Sequence, residues 1–190
     1  MSRAEGDAFS RLKSVIVFIE WINETIGRAV SMLALPLVLV TCAVAVLRYG
    51  FSMGWVWMQE LYIWTHAVIF LVASGYTLLQ EGHVRIDVIY GPASLRTKAW
   101  INIIGTLFFL LPMIGLIAYV ALPYVALSWS RLETSQEAGG LSGLFLLKSC
   151  MLVFAALLAL QGLALFLRSI LVLAGEAEWT AGASQTAGEH

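Results

Sequence analysis

Four stretches of the chain run for about twenty residues or more with almost no acidic or basic side chain. Residues 29–47 hold no Asp, Glu, Lys or Arg, nor do residues 61–80, whose one titratable nitrogen group is His66, nor the 32 residues from 99 to 130, and 144–167 is interrupted only by Lys148. A helix rises about 1.5 Å per residue, so about 20 apolar residues cross a hydrocarbon core of about 30 Å. The pattern predicts crossings at about 29–48, 57–80, 99–128 and 144–168. Ahead of the first, Leu12, Val15, Ile16, Ile19, Ile22 and Ile26 recur at steps of three and four, with Lys13, Glu20 and Glu24 assigned to the opposite side. That spacing predicts an amphipathic helix in the membrane interface, with Trp21 near the headgroups. It is equally compatible with packing on a protein, and Gly27 alone need not stop the helix before the first crossing. The expected fold class is an all-α integral membrane protein: four transmembrane helices plus an N-terminal amphipathic interfacial helix. Residues 1–10 are expected to be flexible, 11–173 to form the membrane domain, and 174–190, rich in Ala, Gly, Ser and Thr, to be disordered.

The interruptions locate the ends. Pro36 is expected to kink the first crossing, and Pro112 and Pro123 to divide the third. Residues 50–54 form a short turn, Gly82 and Gly91-Pro92 break the chain after the second crossing, and 131–143 is the longest internal polar loop. Trp55, Trp57, Tyr62 and Trp64 supply an aromatic belt at one interface. With four crossings, eight of the Lys and Arg residues fall on the side of the termini (Arg3, Arg11, Lys13, Arg28, Arg85, Arg96, Lys98, Arg168) and three on the other (Arg48, Arg131, Lys148). Both termini are therefore expected to be cytoplasmic.

Composition agrees with a bilayer as solvent. The chain is 60% hydrophobic and 12% charged, with mean hydropathy +0.86, against roughly a quarter charged for a soluble domain. A net charge of -1 without a basic cluster argues against a nucleic-acid partner. Cys42 and Cys150 lie in apolar runs and are expected to be buried apolar residues, not a disulfide. The first apolar run follows 28 residues that include Glu5, Asp7, Glu20 and Glu24, which fits a retained anchor and not a cleaved signal.

Chemistry concentrates at the ends of the second crossing. Glu60 stands about one turn inside its start, where the helix dipole favours a carboxylate, and within reach of Arg48 across the short turn or of a partner subunit. His66 lies inside the crossing, where it could hydrogen-bond between helices, ligate haem or relay a proton. His83 is 17 residues further on, roughly 25 Å along a helix, so the two cannot clamp one haem within a single chain. His83, Arg85 and Asp87 alternate with Val84, Ile86 and Val88. They make a poor metal set and lack a nucleophile with a positioned base; pinning the helix end or docking onto another protein suits them better. No crossing carries a central Asp, Glu, Lys or Arg, which leaves Asn102, His66 and Gln161 as the main strongly polar groups. No phosphate loop, HExxH or GxSxG motif appears. The expectation is a non-enzymatic helical subunit that accompanies something else, with no catalytic or metal residues and no cofactor. A four-helix membrane cytochrome is the alternative, betrayed by a haem absorption band; a small multidrug exporter would need a midplane carboxylate and a shorter chain.

The order Arg48-Tyr49, then Trp57 and Glu60, then Gly82-His83-Val84-Arg85-Ile86-Asp87 resembles the small permease subunit of tripartite ATP-independent periplasmic (TRAP) transporters, the DctQ-like family. The resemblance covers about residues 15–173, including Leu160-Gln161-Gly162, and departs at Gln59, where the family often has a second acidic residue. It implies a large membrane subunit that carries the substrate and sodium sites, and a periplasmic solute-binding protein that delivers an organic acid. It further implies sodium-driven uptake at the bacterial inner membrane, with this chain as a scaffold that binds no substrate. Under it, Arg48, Trp57, Glu60, His83, Arg85 and Asp87 become structural or partner-contact candidates.

Overall fold

A computed structural model describes residues 3–80, 90 and 92–175 of the chain, with side chains from Phe9 onward. The described residues form helices and turns, with no strands. In order they are α1 (Arg3–Ser31), α2 (Ala34–Phe51), α3 (Val56–Val72), α4 (Ser74–Leu79), α5 (Leu95–Gly105), a π-helical turn (Thr106–Leu110), α6 (Leu111–Ser130) and α7 (Leu144–Leu173). Three helical stretches are long and apolar enough to cross a membrane, 9–51 (interrupted at residues 32–33), 95–130 and 144–173, and Val56–Val72 is a shorter apolar helix. The segment 81–89, which contains His83, Arg85 and Asp87, and the tail 176–190 lie outside the described residues.

Proline chemistry explains two of the irregularities. A proline removes one hydrogen bond to the carbonyl four residues earlier and its ring crowds that carbonyl. Pro36 sits in the first turn of α2, where a missing N–H costs nothing, and the break falls four residues back at Met32–Leu33, closed by a hydrogen bond from Leu33 N–H to the Val30 carbonyl at 3.0 Å. The kink expected inside the first crossing therefore lies at its start. Four residues before Pro112 is Phe108, the middle of the π-helical turn, which widens the helix where the ring intrudes. Pro123 is accommodated inside α6 without a break, so 95–130 stays one helical run instead of being divided twice.

The other ends have local causes. Ser52 takes a left-handed conformation (φ 52°) and Met53 N–H bonds back to the Leu47 carbonyl at 3.0 Å, which stops α2. Ser94 caps α5 by accepting from Thr97 N–H at 3.3 Å. That start places Arg96 and Lys98 in the first turn of the helix, directly ahead of the apolar run.

Contacts divide the chain into two compact units. The first holds residues 1–24, 75–114 and 157–190. Its core is Ile16 and Ile19 of α1 against Ala164 and Leu171 of α7, flanked by Leu12, Leu160 and Leu167. The apolar stripe of the N-terminal helix is thus covered by a helix of its own chain, while Val17, Phe18 and Trp21 remain exposed beside it. Glu20, assigned by periodicity to the far side, is four residues after Ile16 and faces α7, where it pairs with Arg168 at 2.5 Å. The helix starts at Arg3, within the stretch expected to be loose. The second unit holds residues 25–74 and 115–156, and in it α2 packs along α3. Cys42, expected to be buried, lies on the exposed face of α2, and Cys150 is partly covered; both are free thiols. Large apolar side chains such as Phe70, Phe109 and Tyr119 are exposed, as suits helices solvated by lipid or by another protein.

Candidate functional site

Glu60 organises the polar loop 131–143. Its carboxylate accepts a hydrogen bond from the Ser135 hydroxyl and a second, at 2.6 Å, from the Leu141 backbone N–H. A Cβ on Gly140 would lie 2.7 Å from Glu60 Oε2, so only glycine lets the loop backbone come this close to the carboxylate. Ser135 N–H donates to the Leu141 carbonyl at 3.0 Å, and the Ser135 hydroxyl accepts from Glu137 N–H at 3.1 Å. Arg48, one of the two contacts expected for Glu60, sits instead at the exposed C-terminal end of α2, where its charge complements the helix dipole.

A second tie fixes the foot of the same loop. Lys148, on the first turns of α7, pairs with Glu133 at 2.5 Å while its ammonium lies 4.0 Å from the centre of the Tyr124 ring. Beside it, Trp129 donates from Nε1 to the Ser149 hydroxyl at 2.8 Å and meets Phe145 edge to face at 4.6 Å. The hydrogen bond from Lys148 holds the Glu133 carboxyl below the ordinary carboxylate range. Because the folded value is depressed, the stabilisation is complete above the unfolded value and disappears as pH falls through the folded one. We expect the melting temperature of the purified chain to fall more steeply on acidification from neutral pH to about pH 3 than that of Glu133→Gln. Parallel pH profiles would show that the pair contributes nothing.

Several polar side chains inside the first unit also bond to one another, although Asn23 Oδ1 and Arg168 Nε are buried without a partner among the described residues. Asn23 Nδ2 donates to Gln161 Oε1 at 3.1 Å and to the Ile19 carbonyl at 3.3 Å. Asn23 and Gln161 are almost fully buried. Gly75 lies directly against the Asn23 carboxamide oxygen and the Leu157 carbonyl. Asn102 Nδ2 donates to the Tyr90 hydroxyl at 3.2 Å. His66 differs from these: it is exposed, stacks on Phe70 with centroids 6.5 Å apart, and has no hydrogen-bond partner among the described residues.

Of the six residues singled out from the sequence, Glu60 is central to a bonded cluster. Arg48 and Trp57 are exposed near the same turn, and His83, Arg85 and Asp87 are outside the described residues. Sequence reasoning missed Glu133, Ser135 and Leu141 as partners, and also Asn23. Asn23 was detectable, since it follows Ile19 by four and Ile16 by seven and so falls on the buried stripe. Among the described residues no three His, Cys, Asp or Glu side chains are grouped so as to hold a metal ion.

A family model described as "Tripartite ATP-independent periplasmic transporters, DctQ component" matches residues 37–172. The match starts in the first turn of α2 and ends at the last turn of α7, leaving α1 outside it. No curated protein and no solved structure matches the chain.

Proposed function

The chain belongs to the DctQ component family of tripartite ATP-independent periplasmic transporters, and we propose that it serves there as the small membrane subunit that scaffolds a large permease subunit. In this reading the large subunit carries substrate and sodium, a periplasmic solute-binding protein delivers an organic acid, and the sodium gradient drives uptake. The chain lies in the inner membrane with both termini in the cytoplasm. The family is one of transporter components and not of enzymes. The observation that carries the scaffold reading is where the polar side chains go. Gln161 bonds to Asn23, Asn102 to Tyr90, and Glu60 to its own loop, so these groups hold the chain's own helices and loop together. A carrier would aim such groups into a cavity near the midplane.

Tagging the C-terminus, extracting native membranes in mild detergent and identifying co-purifying chains by mass spectrometry tests the proposal. A stoichiometric, highly hydrophobic permease is expected; a chain that purifies alone, or with haem, would overturn it. Arg48, Trp57, Glu60, His83, Arg85 and Asp87 are proposed to fix the ends of the second crossing or to meet the partner. Arg85→Glu reverses the charge at the cytoplasmic end and is expected to lower both co-purified permease and uptake. Wild-type levels of both would remove Arg85 from that role.

A further inference from the structure

His66 stands ten residues into α3, about 15 Å along the helix and therefore near the middle of a hydrocarbon core of about 30 Å. Its ring is exposed and its nitrogens have no partner among the described residues. It forms one wall of a groove of about 470 Å³ between α2 and α3, lined by Leu37, Val38, Thr41, Cys42, Tyr62 and Ile63. Apart from Thr41, Tyr62 and His66 the lining is apolar, and the Thr41 hydroxyl is already bonded to the Leu37 carbonyl at 2.7 Å. All of these residues belong to the same compact unit.

The chemistry of the imidazole selects what covers the groove. An unpartnered ring N–H and ring nitrogen at mid-depth would meet only hydrocarbon, which is costly. An acyl chain fills an apolar groove but offers no hydrogen bond, and a headgroup stays at the interface. A transmembrane helix supplies both an apolar ridge and a polar atom at that depth. We propose that this groove seats a helix of the large membrane subunit, with His66 hydrogen-bonded to a polar group of that helix. The proposal rests on the small-subunit reading above and adds where, and through which side chain, the subunits meet.

The test uses the complete transporter in native membranes. A photoreactive phenylalanine analogue replaces Val38 or Ile63, both on the groove and more than half exposed, and, as a reference, Phe109 or Tyr119 on other helices. Crosslinked products are identified by mass spectrometry. Adducts of the large subunit from positions 38 and 63 are expected. Adducts of lipid alone, or of a second copy of this chain, from those two positions would overturn the inference. If the reference positions nevertheless capture the large subunit, the small-subunit reading survives; if no position does and the tagged chain purifies alone, that reading fails as well. As a second readout, His66→Leu should lower the yield of co-purified large subunit by about three- to tenfold, while His66→Gln, which keeps a hydrogen-bonding group, should restore most of it. Equal yields for Leu and Gln would show that the ring makes no polar contact.

Discussion

Glu60→Ala is expected to release the loop 131–143 while leaving the helices folded. The carboxylate is the shared acceptor for the Ser135 hydroxyl and the Leu141 N–H, so its removal orphans two donors at once. Hydrogen bonds to a charged group contribute about 1.5–3 kcal/mol each, and partial exposure of this site reduces that, so a total of about 2–3 kcal/mol is expected. The loss should be local, because the loop has its own second tie at Glu133–Lys148 and the helices do not depend on Glu60. Trypsin cleavage after Arg131 reads the opening directly. If cleavage follows the opened population, it should quicken by about thirty- to a hundred-and-fiftyfold, with a much smaller change in overall melting temperature. Glu60→Gln keeps one acceptor oxygen and should fall between. An unchanged cleavage rate in Glu60→Ala would mean that the glycines and the Lys148 pair hold the loop by themselves.

That cluster also marks where sequence reading reached its limit. Glu60 stood out because a carboxylate near an apolar run is conspicuous. Its partners did not: they lie 75 and 81 positions away. Nothing in local periodicity encodes which loop arrives over a helix end, and Arg48 looked like the natural partner only because it is close in sequence. The crossings were legible for the opposite reason. Uncharged runs long enough to span hydrocarbon are a property of composition alone, and lipid leaves the backbone few options other than a helix. The prolines were legible as disturbances but not as positions, since their effect falls at the carbonyl four residues earlier: at Met32 for Pro36 and at Phe108 for Pro112. The N-terminal helix was read correctly as amphipathic. Sequence could not say what would cover its stripe, because α7, which supplies Ala164 and Leu171, is more than a hundred residues away.

Gly75→Ala is expected to be among the most damaging single-methyl changes in the chain. The run Ala73-Ser74-Gly75 suggests close helix approach from sequence, and the structure gives the approach an address. A Cβ at Gly75 would run into the Asn23 carboxamide and stand 3.1 Å from the Leu157 carbonyl oxygen. Neither obstacle moves easily: the carbonyl is backbone, and the Asn23 side chain is held by its bond to Gln161. Accommodating the methyl means breaking the Asn23–Gln161 bond or moving α4 away from α7. Overpacking a filled site costs about 1–3 kcal/mol, and a buried polar pair left unbonded adds about 1–3 kcal/mol. Gly162 provides the internal control. A Cβ there would meet Leu110 Cδ2 at 2.7 Å, the far end of a flexible side chain beside the π-helical turn, so Gly162→Ala should cost less than about 1 kcal/mol after Leu110 changes rotamer. Thermal unfolding of the detergent-solubilised variants, followed by tryptophan fluorescence, should therefore rank wild type and Gly162→Ala together and Gly75→Ala well below. A double variant, Gly75→Ala with Asn23→Ala, separates the two contributions. Removing the carboxamide clears one obstacle but leaves Gln161 buried without its partner, so it should recover only part of the loss. Full recovery would place the whole clash on Asn23 and none on the Leu157 carbonyl, whereas no recovery would place it on the backbone of α7.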